Sequence, residues 1–239
     1  MEKKEILYEG KAKKIFKTDN KDELIVYFKD DATAFDGQKR GQIENKGIIN
    51  NKISNAFFEV LEKKGIKTHF IKELNKRETL VKKVDIILIE VVIRNISAGS
   101  LVKRLGIEEG IELSKPIVEF YYKNDQLGDP LINRSHIEIL ELADYEQLDE
   151  ITVKAKKINR VLRDFSKSKG VDLVDFKLEF GITSSGEIIL ADEISPDTCR
   201  FWDTYTKQKL DKDRFRKDLG DVESGYIEML QRITGKNKI

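Results

Sequence analysis

Cysteine occurs once in the 239 residues, at Cys199, so no intrachain disulfide can form and a reducing interior is the natural setting. No histidine lies near it in sequence, so Cys199 reads as a small buried hydrophobe rather than a nucleophile. Proline occurs three times, and no Pro/Gly-rich stretch marks a linker. Long apolar runs are missing too. The most apolar stretch, residues 86–93, is interrupted by Glu90 and is too short to span a bilayer. The opening MEKKEILYEG has no apolar core of the kind a signal peptide needs, so a cytoplasmic protein without a membrane partner is expected. Nor is there an excess charge of either sign. Forty-four Lys and Arg stand against 43 Asp and Glu, which leaves no global field to favour nucleic acid. There is no internal repeat, no low-complexity segment, no Walker loop and no full kinase glycine loop.

What is present is charge in balance. Charged residues make up 36% of the chain, a composition suited to ion-pair networks and compatible with a heat-tolerant source. The length fits one large domain or two small lobes sharing a cleft.

The most informative stretch is 175–203, DFKLEFGITSSGEIILADEISPDTCRFWD. Asp175, Lys177 and Glu179 alternate with Phe176, Leu178 and Phe180, the period of a half-buried strand. Thr183-Ser184-Ser185-Gly186 supplies a turn, and residues 187–192 return as a second strand. A two-residue Ser185-Gly186 loop sets Glu179 opposite Asp192. A three-residue loop, 184–186, with a bulge shifts the pairing by one. Opposed side chains have Cβ atoms roughly 4.5–5.5 Å apart. Two carboxylates that close repel unless a cation lies between them, and Mg²⁺ takes one or two carboxylates plus phosphate oxygens. The plain alternative is a surface hairpin with solvated charges. The density of polar groups on one face, followed directly by Asp-Glu-Ile-Ser-Pro-Asp-Thr-Cys-Arg, weighs against it.

Elsewhere the pattern is conventional. Residues 6–8, 14–16 and 24–28 read as strands around a Glu9-Gly10-Lys11-Ala12-Lys13 turn, which on its own is an ordinary basic hairpin. Residues 30–41 are polar and turn-rich. Ile49, Ile53, Ala56, Phe57, Val60 and Leu61 recur at helical spacing up to Gly65. Residues 66–71 and 79–84 read as strands, with His69 in the first as a structural residue. Residues 86–93 form a central strand ended by Arg94. A short helix, 100–104, follows, capped by Ser97 or Ser100. A helix start with Gly and Ser beside an Arg can hold an anion, although a plain capped helix is the commoner case. Residues 117–122 form another strand. A turn at Leu127-Gly128-Asp129-Pro130 and a loop containing His136 follow. Residues 144–169 form the longest helix, with Ile151, Ala155, Ile158, Val161, Leu162 and Phe165 as its buried stripe. Two short helices, 211–218 and 222–233, and a fraying tail close the chain.

The runs DFKLEFG and ADEISPDTCRFWD resemble those of the phosphoribosylaminoimidazole-succinocarboxamide synthase (SAICAR synthetase) family. So do YEGKAKKIF (8–16), FKDDATAFDG (28–37), KGIINNKIS (46–54), EVVIRNISAGSLVKR (90–104) and LDKDRFR (210–216), in matching order along almost the whole chain. One departure is that the family often has a proline just before the Glu90 strand, where this chain has Ile87-Leu88-Ile89. The resemblance implies an α+β fold. A small β-rich N-terminal lobe (residues 1–84) and a larger α+β lobe (85–239) enclose an ATP cleft, with adenine near the 81–85 crossover. It implies that the first Gly-Lys turn covers ATP through Lys11, Ala12 and Lys13, with Lys82, Lys123, Glu179 and Asp192 as further contacts and Asp129 near the cleft. It implies that Arg94, Ser100, Asp175, Lys177 and Arg200, the last from a loop, hold the imidazole nucleotide.

The implied reaction joins carboxyaminoimidazole ribotide to L-aspartate at the expense of ATP, in a homodimer. Glu179 and Asp192 would hold Mg²⁺, Lys177 would bridge the γ-phosphate and the carboxylate, and Asp175 would orient the nucleotide. Two rivals are a protein-kinase-type phosphotransferase and a non-catalytic nucleotide-binding module. The catalytic-loop HRD and the DFG are both missing, and DFK stands in the hairpin, which argues against the first.

Overall fold

The structure, a computed structural model, describes residues 2–34 and 39–235. The end of the FKDDATAFDG run and the tail after Gly235 lie outside them. The first part is β-rich: β1 (Lys3–Glu9), β2 (Lys13–Thr18), β3 (Glu23–Phe28), and a separate two-stranded ribbon of β4 (Asp31–Ala34) and β5 (Lys39–Gln42). Helix α1 (Lys46–Lys63) leads to β6 (Phe70–Asn75) and β7 (Glu78–Lys82). These complete an antiparallel sheet in the order β1-β2-β3-β7-β6. The strand expected over 66–71 begins later, at Phe70, because residues 67–69 instead bond the backbone of Leu190.

The second part begins with β8 (Asp85–Ile96), α2 (Ser100–Leu105), β9 (Glu112–Tyr122), β10 (Leu131–Ile132), α3 (Arg134–Ile139) and α4 (Tyr145–Ser168). It continues with β11 (Val171–Ile182), β12 (Ile188–Ala191), β13 (Cys199–Asp203), α5 (Asp213–Arg216) and α6 (Val222–Thr234). Strands β10-β9-β8-β11-β12 make a second antiparallel sheet, and β13 pairs with the N-terminal half of β11. The mixed two-lobe α+β architecture is the expected fold. No proline interrupts β8, which runs as one strand from Asp85, with its register against β11 shifting between Ile86 and Glu90.

Strand parity organises this sheet. Ile87, Ile89, Val91 and Ile93 of β8 and Phe176, Leu178 and Phe180 of β11 point into one core with the apolar stripes of α1, α4 and α6. Those stripes are the ones the 3.6-residue spacing predicts: Ile49, Ile53, Phe57 and Leu61 on α1, and Ile151, Ala155, Ile158 and Leu162 on α4. Asp144 and Gln147 close a reciprocal capping box at the start of α4. The alternate residues of both strands face the opposite side, toward the first sheet.

Several local expectations give way to non-local contacts. Arg94 lies inside β8 rather than ending it, because Arg94 and Ile96 still pair with β9. Neither serine caps α2. Its N-cap is Gly99, while Ser97 bonds Glu108 and Ile111 and Ser100 bonds Arg94. His136 is helical, since its Nδ1 accepts from the Asn133 backbone in the capping box of α3.

Candidate functional site

A cleft of about 840 Å³ lies between the two sheets. It gathers every candidate residue onto one lining: Lys11, Ala12, Lys13, Lys82, Arg94, Ser100, Lys123, Asp175, Lys177, Glu179, Asp192 and Arg200. Its floor is the polar face of β8 and β11. There the register sets Arg94 opposite Asp175, Val92 opposite Lys177 and Glu90 opposite Glu179.

The hairpin takes the three-residue loop. Thr183 N–H donates to Glu187 O, Gly186 N–H donates back to Thr183 O, and Glu179 faces Ala191 rather than Asp192. Gly186 has φ 84°, the left-handed conformation such a loop requires. The one-residue shift ought to turn Asp192 away from Glu179. It does not, because β12 ends at Ala191 and Asp192 itself adopts φ 60°, which swings its carboxylate back into the cleft. A non-glycine residue in that region carries about 1–3 kcal/mol of strain.

The partner along this edge of β11 also changes here. β12 pairs with residues 179–182 and β13 with 171–176. The connecting segment crosses the gap, tied by Lys177 N–H to Thr198 O. It delivers Asp192, Glu193, Asp197 and Thr198 to the cleft, and Arg200 arrives on strand β13 directly opposite Asp175 rather than from a loop.

Two charge clusters result. In the first, Lys177 Nζ donates to Glu90 Oε1 at 2.6 Å and Glu179 Oε1 at 3.0 Å, and Lys123 Nζ donates to Glu179 Oε1 at 2.6 Å. Neither lysine takes Glu179 Oε2. Lys13 donates to Asp192 and lies 3.1 Å from Glu193 Oε1. Burial works against the charge on Lys177, yet the Glu179, Glu90 and Asp192 carboxylates outweigh it and hold its pKa well above the ordinary lysine value. Burial also opposes the Asp192 carboxylate, but Lys13, Lys177 and Lys123 win and hold its pKa below the usual range. Glu90 goes the other way, pushed up by burial, which the two lysines only partly offset.

In the second cluster two arginines share Asp175. Arg94 Nη1 donates to Asp175 Oδ2 at 2.8 Å, and Arg200 Nη1 donates to both oxygens at 3.0 and 2.9 Å. Arg94 also donates to Glu119 at 2.8 Å and to Ser100 Oγ at 2.9 Å, and Arg200 Nε donates to Asp213 at 2.9 Å. Gly99 (φ 59°, ψ −130°) lets the chain pass flat against Arg200. A Cβ there would lie 2.6 Å from its Nη2. Glu90, Glu119, Tyr121, Glu193 and Asp213 are site residues the sequence reading did not name. Each is a counter-charge or hydrogen-bond partner of a residue far off in the chain, which no local pattern reveals: Glu90 of Lys177, Glu119 and Tyr121 of Arg94, Glu193 of Lys13 and Asp213 of Arg200.

The roof is the first sheet. Ile15, Leu24, Val26 and Val81 face Ile86 and Leu88 across an apolar slot. Lys82 at its rim donates to Thr68 O at 3.1 Å. Lys11 reaches Asp125 at 3.1 Å, both exposed, and Asp129 Oδ1 accepts from Asn124 N–H at 2.8 Å. His69 packs edge-on against Phe58, and burial lowers its pKa to about 4, so it is a neutral structural residue. Cys199 is buried, and burial raises its thiol pKa far beyond a nucleophile's.

Among the described residues no three His, Cys, Asp or Glu side chains converge as a protein-only metal cage, and no helix is long and apolar enough to cross a membrane.

Residues 6–233 match the SAICAR synthetase family. The chain is 60% identical over 233 residues to the phosphoribosylaminoimidazole-succinocarboxamide synthase of Caldanaerobacter subterraneus subsp. tengcongensis, covering 98% of this chain and 99% of that one. The crystal structure of the Ehrlichia chaffeensis synthase superposes with a TM-score of 0.95 at 49% identity, over 98% of this chain and 100% of that one. A SAICAR synthetase (Type-2) in complex with ADP superposes with a TM-score of 0.95 at 52% identity, over 98% and 100% of the two chains.

Proposed function

The chain belongs to the SAICAR synthetase family, an ATP-dependent ligase family of purine biosynthesis, and on that premise we propose that it joins carboxyaminoimidazole ribotide to L-aspartate through an acyl phosphate. The observation that carries this reading is the order Asp175, Lys177, Glu179 along one face of β11. Consecutive same-face residues of a strand are about 6.5–7 Å apart. An arginine-rich end, a central lysine and an acidic, lysine-rich end therefore follow one another at the spacing of two substrates meeting head to head.

A carboxylate does not acylate an amine near neutral pH, because its leaving group would be oxide. In the proposed reaction a carboxylate oxygen of the nucleotide attacks the γ-phosphorus and ADP departs. The amine of aspartate then attacks the acyl carbon, the C–O bond to phosphate breaks, and the amine's proton passes to solvent. Lys177 stands between the two anions and offsets their repulsion, held there by Glu90 and Glu179. Lys11, Lys13 and Lys123 meet the polyphosphate under the backbone of the Gly10 turn, with Ala12 passing over it and Lys82 at the adenine end. Arg94, Ser100 and Arg200 take the sugar phosphate, and Asp175 holds both guanidiniums toward it.

The donor set suits Mg²⁺. Glu179 and Asp192 are hard oxygen donors on the phosphate side, and Glu179 Oε2 is free of both lysines that hold Oε1. Bound there, the ion would neutralise phosphate charge and polarise the γ-phosphoryl group. The same reading makes the enzyme a cytoplasmic homodimer, which sedimentation of the full chain checks.

ADP release measured with each substrate omitted in turn tests the reaction. Release requiring ATP, the nucleotide and aspartate together is expected. Phosphate transfer that ignores aspartate would point to a phosphotransferase, and ATP binding with no turnover to a binding module. Glu179→Gln should retain fold and nucleotide binding but lose Mg²⁺-dependent tightening of ADP, read by calorimetry. Equal ADP affinity with and without Mg²⁺ in the parent would remove the metal role.

A further inference from the structure

Arg94 reaches the nucleotide end of the cleft with no donor to spare. A guanidinium has five N–H groups, and those of Arg94 already meet five acceptors. Nε donates to Glu119 Oε2 at 2.8 Å. Nη1 donates to Asp175 Oδ2 at 2.8 Å and to Ala98 O at 3.4 Å. Nη2 donates to Ser100 Oγ at 2.9 Å and to Tyr121 OH at 3.2 Å. Arg200 differs. Its Nε and Nη1 are used on Asp213 and Asp175, and among the described residues nothing accepts from its Nη2. An anion therefore meets Arg200 directly, whereas Arg94 has to give up a bond first.

The bond it can give up is the one to Tyr121. Ala98 and Asp175 are buried, while Tyr121 and Ser100 line the cleft. Ser100 Oγ, with Arg94 on a lone pair, still has its own hydrogen to point at an anion. Releasing Tyr121 OH would leave a half-buried acceptor short of a donor, which is costly. Arg104 removes that cost. It lies one turn after Ser100 on α2, so the two side chains share a face. Its Nη1 donates to Tyr121 OH at 3.2 Å, and its Nη2 donates to Glu119 Oε1. Tyr121 OH in turn donates to Glu119 Oε2 at 2.9 Å. Each acceptor that Arg94 uses on this side thus has a second donor. Burial opposes the charge on Glu119, but Arg94, Tyr121 and Arg104 together outweigh it and hold its pKa below the ordinary value.

We propose that Arg104 is a positioning residue for the nucleotide phosphate: it keeps Tyr121 and Glu119 paired while Arg94 exchanges its bond to Tyr121 for one to the phosphate. Arg104 stands outside the residues that line the cleft and does not itself touch the anion. Its fork shape suits the task, because one planar group spans the phenol and the carboxylate at once. This role rests on the proposed ligase reading and explains how a fully bonded arginine can serve it.

Steady-state ADP release by the full chain, with the nucleotide varied at saturating ATP and aspartate, tests the role. Arg104→Met should raise the nucleotide KM roughly 10-fold, the effect of one acceptor left short of its donor. Its kcat and ATP KM should stay near those of the parent, which also shows that the variant folds. Arg104→Lys should recover only part of the loss, since an ammonium does not span both acceptors as the fork does. In a Tyr121→Phe background Arg94 has no bond to exchange, so adding Arg104→Met should raise the nucleotide KM by less than about 3-fold. The same factor in both backgrounds would mean that Arg104 acts on the phosphate through its own charge, and overturns the positioning role. An unchanged nucleotide KM in Arg104→Met overturns it too, as does a rise shared equally with ATP. Absence of nucleotide-dependent ADP release from the parent overturns the ligase reading itself, and this role with it.

Discussion

The floor and the roof of the cleft are built differently. The floor strands β8 and β11 are each 12 residues long, with one face sealed into the main core. Their charged side chains are multiply tied to one another. The roof begins with β1, exposed along its whole length, and rests on a small cluster of Val26, Phe28 and Val81. Ion pairs tie its Gly10 turn to the floor side: Lys13 to Asp192 and Glu193, and Lys11 to Asp125. Groups that must hold reacting atoms within a few tenths of an ångström sit on the rigid side. Groups that must admit and release a nucleotide sit on the side that costs little to move.

That contrast can be broken at the floor first. Lys177→Ala should lower kcat about 10²- to 10³-fold, the loss of one preorganised charge at the transferring group. Its cooperative thermal unfolding should persist, because Glu179 keeps Lys123. A near-parent rate would remove Lys177 from the chemistry. Arg94→Ala should raise the nucleotide KM roughly 10- to 100-fold and the ATP KM far less. It should also cost about 3 kcal/mol in urea unfolding, near the lower edge for a broken buried pair, since Arg200 stays on Asp175. Equal losses of both ligands would dissolve the division between the two ends.

The seam between floor and roof comes next. His69 accepts the Lys82 N–H on its carbonyl and donates its own N–H to Leu190 O, bridging the two sheets. In the unfolded chain its ring takes up a proton near pH 6.5, whereas the folded protein resists until about 4. Within that window the unfolded state binds more protons, so stability falls as pH drops and is complete above it. At 1.36 kcal/mol per pH unit the loss is about 3 kcal/mol. His69→Gln should flatten unfolding free energy between those pH values, and an unaltered slope would deny the seam its sensitivity. The smallest effect belongs to the roof: Lys11→Ala should shift stability by less than about 1 kcal/mol. Its effect on ATP KM should fade with added salt, and a large thermal shift would mean that the roof is not lightly held.

The sequence discloses whatever repeats locally. The period of two in 175–180 identifies β11 and its polar face, and the helical stripes of α1 and α4 emerge for the same reason. What it conceals is set by contacts across long separations. β13 is only five residues, CRFWD, and becomes a strand because β11 accepts it some 25 positions away, Asp175 facing Arg200. The hairpin register depended on whether the loop had two residues or three, and both are compatible with Ser-Ser-Gly. Asp192 entered the site by a backbone twist that no periodicity encodes. The Lys46–Asp197 pair spans 151 positions, so neither partner advertises the other.

Gly99 has a consequence for the chain's future rather than its present. With its backbone lying against a guanidinium, any side chain there evicts Arg200, while any replacement of Arg200 relieves the crowding but forfeits the anion. The two sites can drift only as a pair, and the first step is harmful from either end. A deep mutational scan of living cells that depend on this chain should find position 99 closed to every alternative, although nothing at Gly99 ever meets a substrate through a side chain.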